Sequence, residues 1–359
     1  MNVVEKKSEE ILRTAFELNS SDIHFVPRQA DTLIELRINH HLYDLITLPV
    51  AFADRIISHF KFRAGMDIGD KRKPQDGALD VEIDQQIVHL RFSTLPMKYS
   101  ESFVIRLLPQ AMDTQMSDLS IFSDSTDRLV SFLNLESGLL LFAGPTGSGK
   151  TTTMYSLLNA AKQRFKSRIL TLEDPIEKST EDFLQMEVNE KADLTYDTGF
   201  KAILRHDPDI VMIGEIRDQE TARIAIRASL TGHLVLSTIH ASNSAQTIQR
   251  LLELGMSRFD LKETLVGVVS QRLITIHKSA DQVEPRQQQF APHLKLESTR
   301  RTAIFEILTG LPLYDILQAE RKQPHSYKKL EDYYRQALTL GYVSRDEPNY
   351  AGVSPHAFT

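Results

Sequence analysis

Apolar and polar residues alternate with changing period along the chain, and those changes divide it. Residues 3–18 place Val4, Ile11, Leu12, Ala15 and Leu18 on one face with Glu and Lys elsewhere, which predicts an amphipathic helix. Asn19-Ser20-Ser21-Asp22 ends it, and Ile23-His24-Phe25 opens a strand. The spacing predicts further strands over Thr32–Ile38 and Leu42–Leu48, a helix over Phe52–Phe62, a hairpin from Ala78–Ile83 and Ile87–Ser93, and a strand over Ser102–Leu108. Residues 1–112 thus read as a small α+β domain. The stretch Pro109–Ser120 is polar and aperiodic, so 113–123 reads as a linker.

From residue 124 the pattern becomes helix, strand, glycine-rich loop, helix, strand. Apolar runs at Gly138–Ala143, Arg168–Leu172, Ile210–Ile213 and Leu234–Thr238 alternate with helical segments. That order predicts an α/β fold with a mostly parallel, doubly wound sheet across 124–359. Residues 278–300, with Gln287-Gln288-Gln289 and clustered charges, read as a surface loop. Helices are expected around 314–320 and 328–340, followed by a frayed tail. No internal repeat is visible.

Composition narrows the classes of function. The 359 residues suit about two domains. A net charge of −6 gives no global sign of a basic surface, so direct nucleic-acid binding is not expected, although it leaves room for a local basic channel. The chain has no cysteine, which removes disulfides, thiolate zinc sites and cysteine nucleophiles together, and suits a reducing cytoplasm. No apolar stretch approaches the about 20 residues that span a bilayer, and MNVVEKKSEE has no secretory core. The expectation is a soluble chain that reaches a membrane only by docking to something embedded there.

Candidate chemistry begins at Gly144-Pro145-Thr146-Gly147-Ser148-Gly149-Lys150-Thr151, which fits G-x-x-x-x-G-K-[ST] between a strand and a helix. Glycines let backbone N–H groups turn toward phosphate oxygens, and the helix N-terminus adds its dipole. Lys150 would reach the β- and γ-phosphates, the Thr151 hydroxyl would ligate Mg²⁺, and Thr152 closes the binding set. A glycine-rich turn without a ligand would need neither flanking element. Hydrolysis also requires carboxylates at nearby strand ends. Glu173-Asp174-Pro175-Ile176-Glu177 follows one strand, and Asp209-Ile210-Val211-Met212-Ile213-Gly214-Glu215 has four apolar residues before its acid. Gly214 stands where many ATPases have an aspartate, so Glu215 must supply the carboxylate. His233 and His240 flank a strand, and seven residues of strand separate them by roughly 23 Å, too far to share a metal ion.

Taken in order, the phosphate loop, E-D-P-I-E at 173–177, D-P-D-I-V-M-I-G-E-I-R-D at 207–218 and T-G-H-L-V-L-S-T-I-H at 231–240 resemble the Walker A, Asp box, Walker B and His box of the type II secretion and type IV pilus ATPases. Ser21-Asp22-Ile23-His24-Phe25, Lys71-Arg72-Lys73-Pro74-Gln75-Asp76-Gly77, Ser93-Thr94-Leu95-Pro96 and Arg106-Leu107-Leu108 resemble that family's N-terminal motifs. The resemblance implies a RecA-like ATPase domain preceded by a smaller, PAS-like α+β domain, with ATP and Mg²⁺ as ligands. It implies Glu177 as general base, Glu215 on Mg²⁺ through water, and His233 and His240 lining the site. It further implies a homo-hexamer in which Arg91 and Arg106 reach a neighbour's ATP, working on a polytopic inner-membrane platform protein from the cytoplasmic face.

Departures from the family pattern narrow the branch. The chain begins directly at the family's second domain. Gln271-Arg272-Leu273 is followed by Ile274-Thr275-Ile276-His277-Lys278 where many relatives carry a four-cysteine zinc motif, so no zinc is expected. The R-x-D-G-type motif reads Arg37-Ile38-Asn39-His40-His41. Retraction ATPases carry A-I-R-N-L-I-R-E, whereas Ala303-Ile304-Phe305-Glu306-Ile307-Leu308 resembles the assembly branch. The whole is similar to the competence ATPases of Gram-positive bacteria, which power a pseudopilus for DNA uptake. Pilus retraction, type II secretion and a nucleotide-gated scaffold with little turnover are the alternatives.

Overall fold

The computed structural model describes residues 2–38, 41–109, 114–189, 192–277, 299–318 and 325–343. These form two compact units, residues 2–109 and residues 114–277 with 299–343. Residues 278–298, read above as a surface loop, lie outside the described residues, as do Asn39, His40 and the tail from 344.

In the first unit, helix α1 (Val3–Glu17) opens on a capping box. Asn2 accepts from the Val4 N–H, and Glu5 accepts from the Asn2 N–H at 3.0 Å. The strands are β1 (Asp22–Pro27), β2 (Asp31–Ile38), β3 (His41–Pro49), β4 (Gln75–Ile83), β5 (Gln86–Pro96) and β6 (Glu101–Pro109), with helix α2 (Val50–Arg63) between β3 and β4. They form one antiparallel sheet in the order β3-β2-β1-β6-β5-β4. Alternate residues Ile23, Phe25, Ile34, Leu36, Leu90, Phe92, Phe103 and Ile105 share one core with α1 and α2. Burying each such side chain is worth about 1.5–3 kcal/mol. Phe60, Phe92 and Phe103 pack ring against ring, with centroids 5.5–6.1 Å apart. Inside this core Lys61 and Glu101, 1% and 2% exposed, form an ion pair at 2.9 Å. Lys61 also donates to the Asp70 carbonyl at 3.3 Å.

The second unit contains α3 (Ser123–Ser131), β7 (Gly138–Ala143), α4 (Lys150–Phe165), β8 (Ile169–Glu173), β9 (Leu184–Glu187), α5 (Tyr196–Ile203) and β10 (Ile210–Glu215). It continues with α6 (Gln219–Leu230), β11 (Leu234–Ile239), α7 (Ser244–Glu253), α8 (Arg258–Thr264), β12 (Leu265–His277), β13 (Thr299–Thr309), α9 (Gly310–Gln318) and α10 (Leu330–Thr339). The sheet order is β13-β12-β7-β11-β10-β8-β9, parallel except for β13. Strands β7, β8 and β11 are buried throughout, because apolar layers cover both faces of the sheet.

Two details depart from the sequence pattern. Part of the polar stretch before residue 123 is tied down: the Ala303 N–H donates to the Leu119 carbonyl at 2.8 Å, and Ser120 Oγ donates to the Ala303 carbonyl at 2.7 Å. These bonds pair the segment with the edge strand β13, and polar composition gives no sign of such pairing. Residues 299 and 300 already belong to β13, and the two late helices begin at Gly310 and Leu330.

Candidate active site

The central strand β7 ends at Ala143, and the chain turns through Gly144–Gly149 into α4. Gly149, the residue before the helix, has φ +84°. A side chain there would be strained and would also meet Gln271 Nε2 at 2.9 Å. At Gly144 a side chain would meet the Gln271 carbonyl oxygen at 2.7 Å. The loop is therefore walled by β12, where Gln271 Nε2 donates to the Ser148 carbonyl at 2.8 Å. Pro145, Thr146, Gly147 and Thr152 are exposed and Thr151 is half-buried. Ser148 Oγ and Gln271 Oε1 are buried without a protein partner. A glycine cradle at a helix N-terminus, a lysine and a hydroxyl at its mouth, and an unpaired hydroxyl within it fit a nucleotide phosphate chain with Mg²⁺.

Lys150 is 8% exposed and donates to the Gly144 and Pro145 carbonyls at 2.9 and 3.1 Å. Burial lowers its pKa; the charges of Glu215 and Glu177 oppose that shift and Arg272 reinforces it. Both carboxylates thus lie in the field of the lysine.

Glu215 arrives there through a bulge. Ile213 pairs with Ser237 and Glu215 with Thr238, so Gly214 is the extra residue, its carbonyl bonded by Thr238 Oγ1 at 2.9 Å. Arg217 Nε donates to Glu215 at 2.8 Å, and His240 Nε2 lies 3.0 Å from the other carboxylate oxygen.

Glu177 is exposed in the segment after β8, and a buried network fixes its backbone. The Glu177 N–H donates to the Glu173 carboxylate. Glu173, 2% exposed, also accepts from Thr171 Oγ1 at 2.7 Å and from the Tyr155 hydroxyl at 2.9 Å. Gln185 Nε2 donates to the Tyr155 oxygen at 2.9 Å and to the Lys178 carbonyl at 2.8 Å. Burial raises the pKa of both Glu173 and Tyr155, and the Glu173 charge adds to the shift on Tyr155.

His233 is a correction. It sits at the opposite end of β11 from His240, where its carbonyl accepts from the Gly138 N–H at 3.1 Å. Its ring contacts Thr231 Oγ1 at 3.0 Å and the Ala228 carbonyl at 3.2 Å. Gly138 begins β7, and the phosphate loop leaves from the other end, so His240 joins the site of its own chain and His233 does not.

Arg91 and Arg106 lie in the first unit, exposed and directly paired across β5 and β6. Arg106 pairs with Asp22 and Asp22 with Arg37, so the buried carboxylate lies between Arg106 and Arg37, with Arg91 one strand further along the same row. Arg106 Nε donates to Asp22 at 2.8 Å, and Arg37 Nε is 3.9 Å away. Sequence reasoning missed Gln271, Arg217 and the Tyr155–Glu173 network. Glu173 and Arg217 lie within the quoted motifs and Gln271 opens the quoted Gln271-Arg272-Leu273, but no local pattern marks their contacts, and none marks Tyr155.

A family model described as "Type II/IV secretion system protein" matches residues 1–342. The competence protein ComGA of Bacillus subtilis is 43% identical over 352 residues, 96% of each chain. The type IV pilus assembly ATPase PilB of Thermus thermophilus is 39% identical over 329 residues, 91% of this chain and 36% of that longer one. Among solved structures, the Legionella pneumophila ATPase DotB superposes with a TM-score of 0.70 at 21% identity, over 93% of this chain and 92% of its own. That last likeness is one of fold. The chain belongs to the type II/IV secretion system protein family.

Proposed function

We propose that the chain is an ATPase that assembles as a homo-hexamer at the cytoplasmic face of the cell membrane and drives assembly of a competence pseudopilus for DNA uptake. It docks to a polytopic membrane platform protein and binds no nucleic acid itself. The observation that carries the chemistry is the convergence of Lys150, Glu177, Glu215 and His240 on the loop from Gly144 to Gly149. The cellular role rests on the likeness to ComGA along nearly the whole of both chains.

ATP with Mg²⁺ brings the phosphoryl group and a divalent charge that offsets the charge developing on it. Backbone N–H groups of the loop and the Lys150 ammonium bind the phosphates. Thr151 would hold Mg²⁺ directly and Glu215 through water. Glu177, held at its backbone by Glu173, takes a proton from the attacking water. His240 follows nucleotide state through its contact with Glu215. Arg91 and Arg106 complete the site of a neighbouring copy, a contribution of roughly 10³- to 10⁵-fold in comparable enzymes.

The test is ATPase activity of Lys150→Ala and Glu177→Ala, with nucleotide binding retained in the second. Wild-type turnover in both would sink the assignment. Mixing inactive Arg106→Ala with inactive Lys150→Ala should restore activity, since some sites then combine an intact lysine with a neighbour's intact arginine. No recovery on mixing would remove the role in trans.

A further inference from the structure

Arg272 is 8% exposed and lies one residue beyond the glutamine that walls the phosphate loop. Its Nη1 donates to the Gln271 carbonyl at 2.8 Å, the same oxygen that crowds Gly144. Its Nη2 donates to the Ser242 carbonyl at 2.7 Å. Ser242 is two residues past His240, in the segment that joins β11 to α7. Strands β12 and β11 are not neighbours, because β7 lies between them. Across roughly 10 Å of sheet, a planar fork therefore joins two backbones that no strand ladder connects directly. One backbone walls the phosphate loop, and the other carries His240 away from the sheet toward Glu215.

We propose that Arg272 is a positioning residue for ATP hydrolysis: by bridging Gln271 and Ser242 it sets His240, and through it Glu215, against the phosphate loop without touching the nucleotide. The proposal rests on reading this site as an ATPase site. It attributes the effect to geometry rather than to a positive charge near Lys150. A lysine at position 272 keeps the charge but offers one compact ammonium in place of a fork.

Steady-state ATPase assays on full-length Arg272→Lys, His240→Ala and the double variant test this, with melting temperature and affinity for a fluorescent ADP analogue measured alongside. Displacing a reacting constellation by about 1 Å can cost up to about a hundredfold. Arg272→Lys should therefore lose at least about tenfold in kcat, with KM and ADP affinity within about threefold of wild type. The double variant should be no slower than the slower single, because both remove one coupled unit. Wild-type kcat in Arg272→Lys would show that the charge alone matters and overturn the bridge. Additive losses in the double variant would overturn action through His240, while a dead Lys150→Ala left the ATPase reading intact. Full activity of His240→Ala would overturn the proposal as well. Should Arg272→Lys fail to fold, amide exchange of the wild-type chain gives an independent test. Residues 240–243 and 146–150 should gain protection together on binding the ADP analogue, and protection of the second segment alone would overturn the bridge.

Discussion

Replacing Lys61 with Met should be among the most destabilising single changes in the first unit. It would leave the Glu101 carboxylate, 2% exposed, without its cation. Breaking a buried pair from one side costs about 3–5 kcal/mol, since the remaining charge is desolvated and unpaired. For a unit of about 110 residues, near 4 °C per kcal/mol, the loss corresponds to roughly 12–20 °C in Tm. Removing both charges should cost far less, because a buried pair exchanged for apolar groups of similar volume is often neutral. The Asp70 carbonyl does not stand in the way, as it also accepts from Gln75 Nε2 at 2.6 Å. Scanning calorimetry of the full chain should therefore show a strongly lowered transition in Lys61→Met, and most of it recovered in Lys61→Met/Glu101→Leu. A loss below about 1 kcal/mol in the single variant, or a double variant no more stable than the single, would refute this electrostatic account.

Tyr155→Phe removes a donor to a buried carboxylate and should cost about 1.5–3 kcal/mol in chemical denaturation, with kcat falling more than KM rises as Glu177 loses its support. Gly149→Ala places a side chain at φ +84° and against Gln271, so affinity for an ADP analogue should fall about tenfold or more by fluorescence titration, from a strain of about 1–2 kcal/mol plus the clash. His24 is the subject of a pH test. Burial lowers its pKa, which the carboxylates of Asp22 and Glu35 oppose and Arg37 and Arg106 reinforce. The unfolded chain then binds the proton first, so stability falls as pH drops below about 6.5. His24→Gln should flatten that decline in denaturant titrations between about pH 6.5 and 5; some slope should persist because burial also lowers the pKa of His59.

Legibility followed the distance over which each feature is built. The phosphate loop was readable because its glycines, lysine and hydroxyl are contiguous, and the strand before it is one apolar run. The contact of Gln271 with that loop was not, because its partner Ser148 is 123 residues away and the contact depends on β12 lying beside β7. Lys61 was hidden for a related reason: a helical pattern shows that a lysine interrupts an apolar face, not that Glu101 waits opposite. His233 was misplaced although the spacing contained the answer. The separation that rules out a shared metal ion also keeps two histidines from lining one loop at one end of the sheet. The arginine row of the first unit needed register, since Arg37, Asp22, Arg106 and Arg91 come from four strands.

The bulge at Gly214 has a consequence for comparing this chain with other phosphate-loop enzymes. In an unbroken strand the residue opposite Thr238 would be number 214; here the parity of β10 slips by one, and Glu215 occupies that rung of the ladder. A carboxylate one position late in the linear sequence is on time in space. Deleting Gly214 while keeping the glutamate would preserve the rung, whereas moving an acid into position 214 would set it on the extra residue of the bulge, where a side chain would meet the Glu173 backbone at 3.4 Å. Counting from the strand's first apolar residue therefore misidentifies the acid, and counting from its hydrogen-bonded neighbour does not.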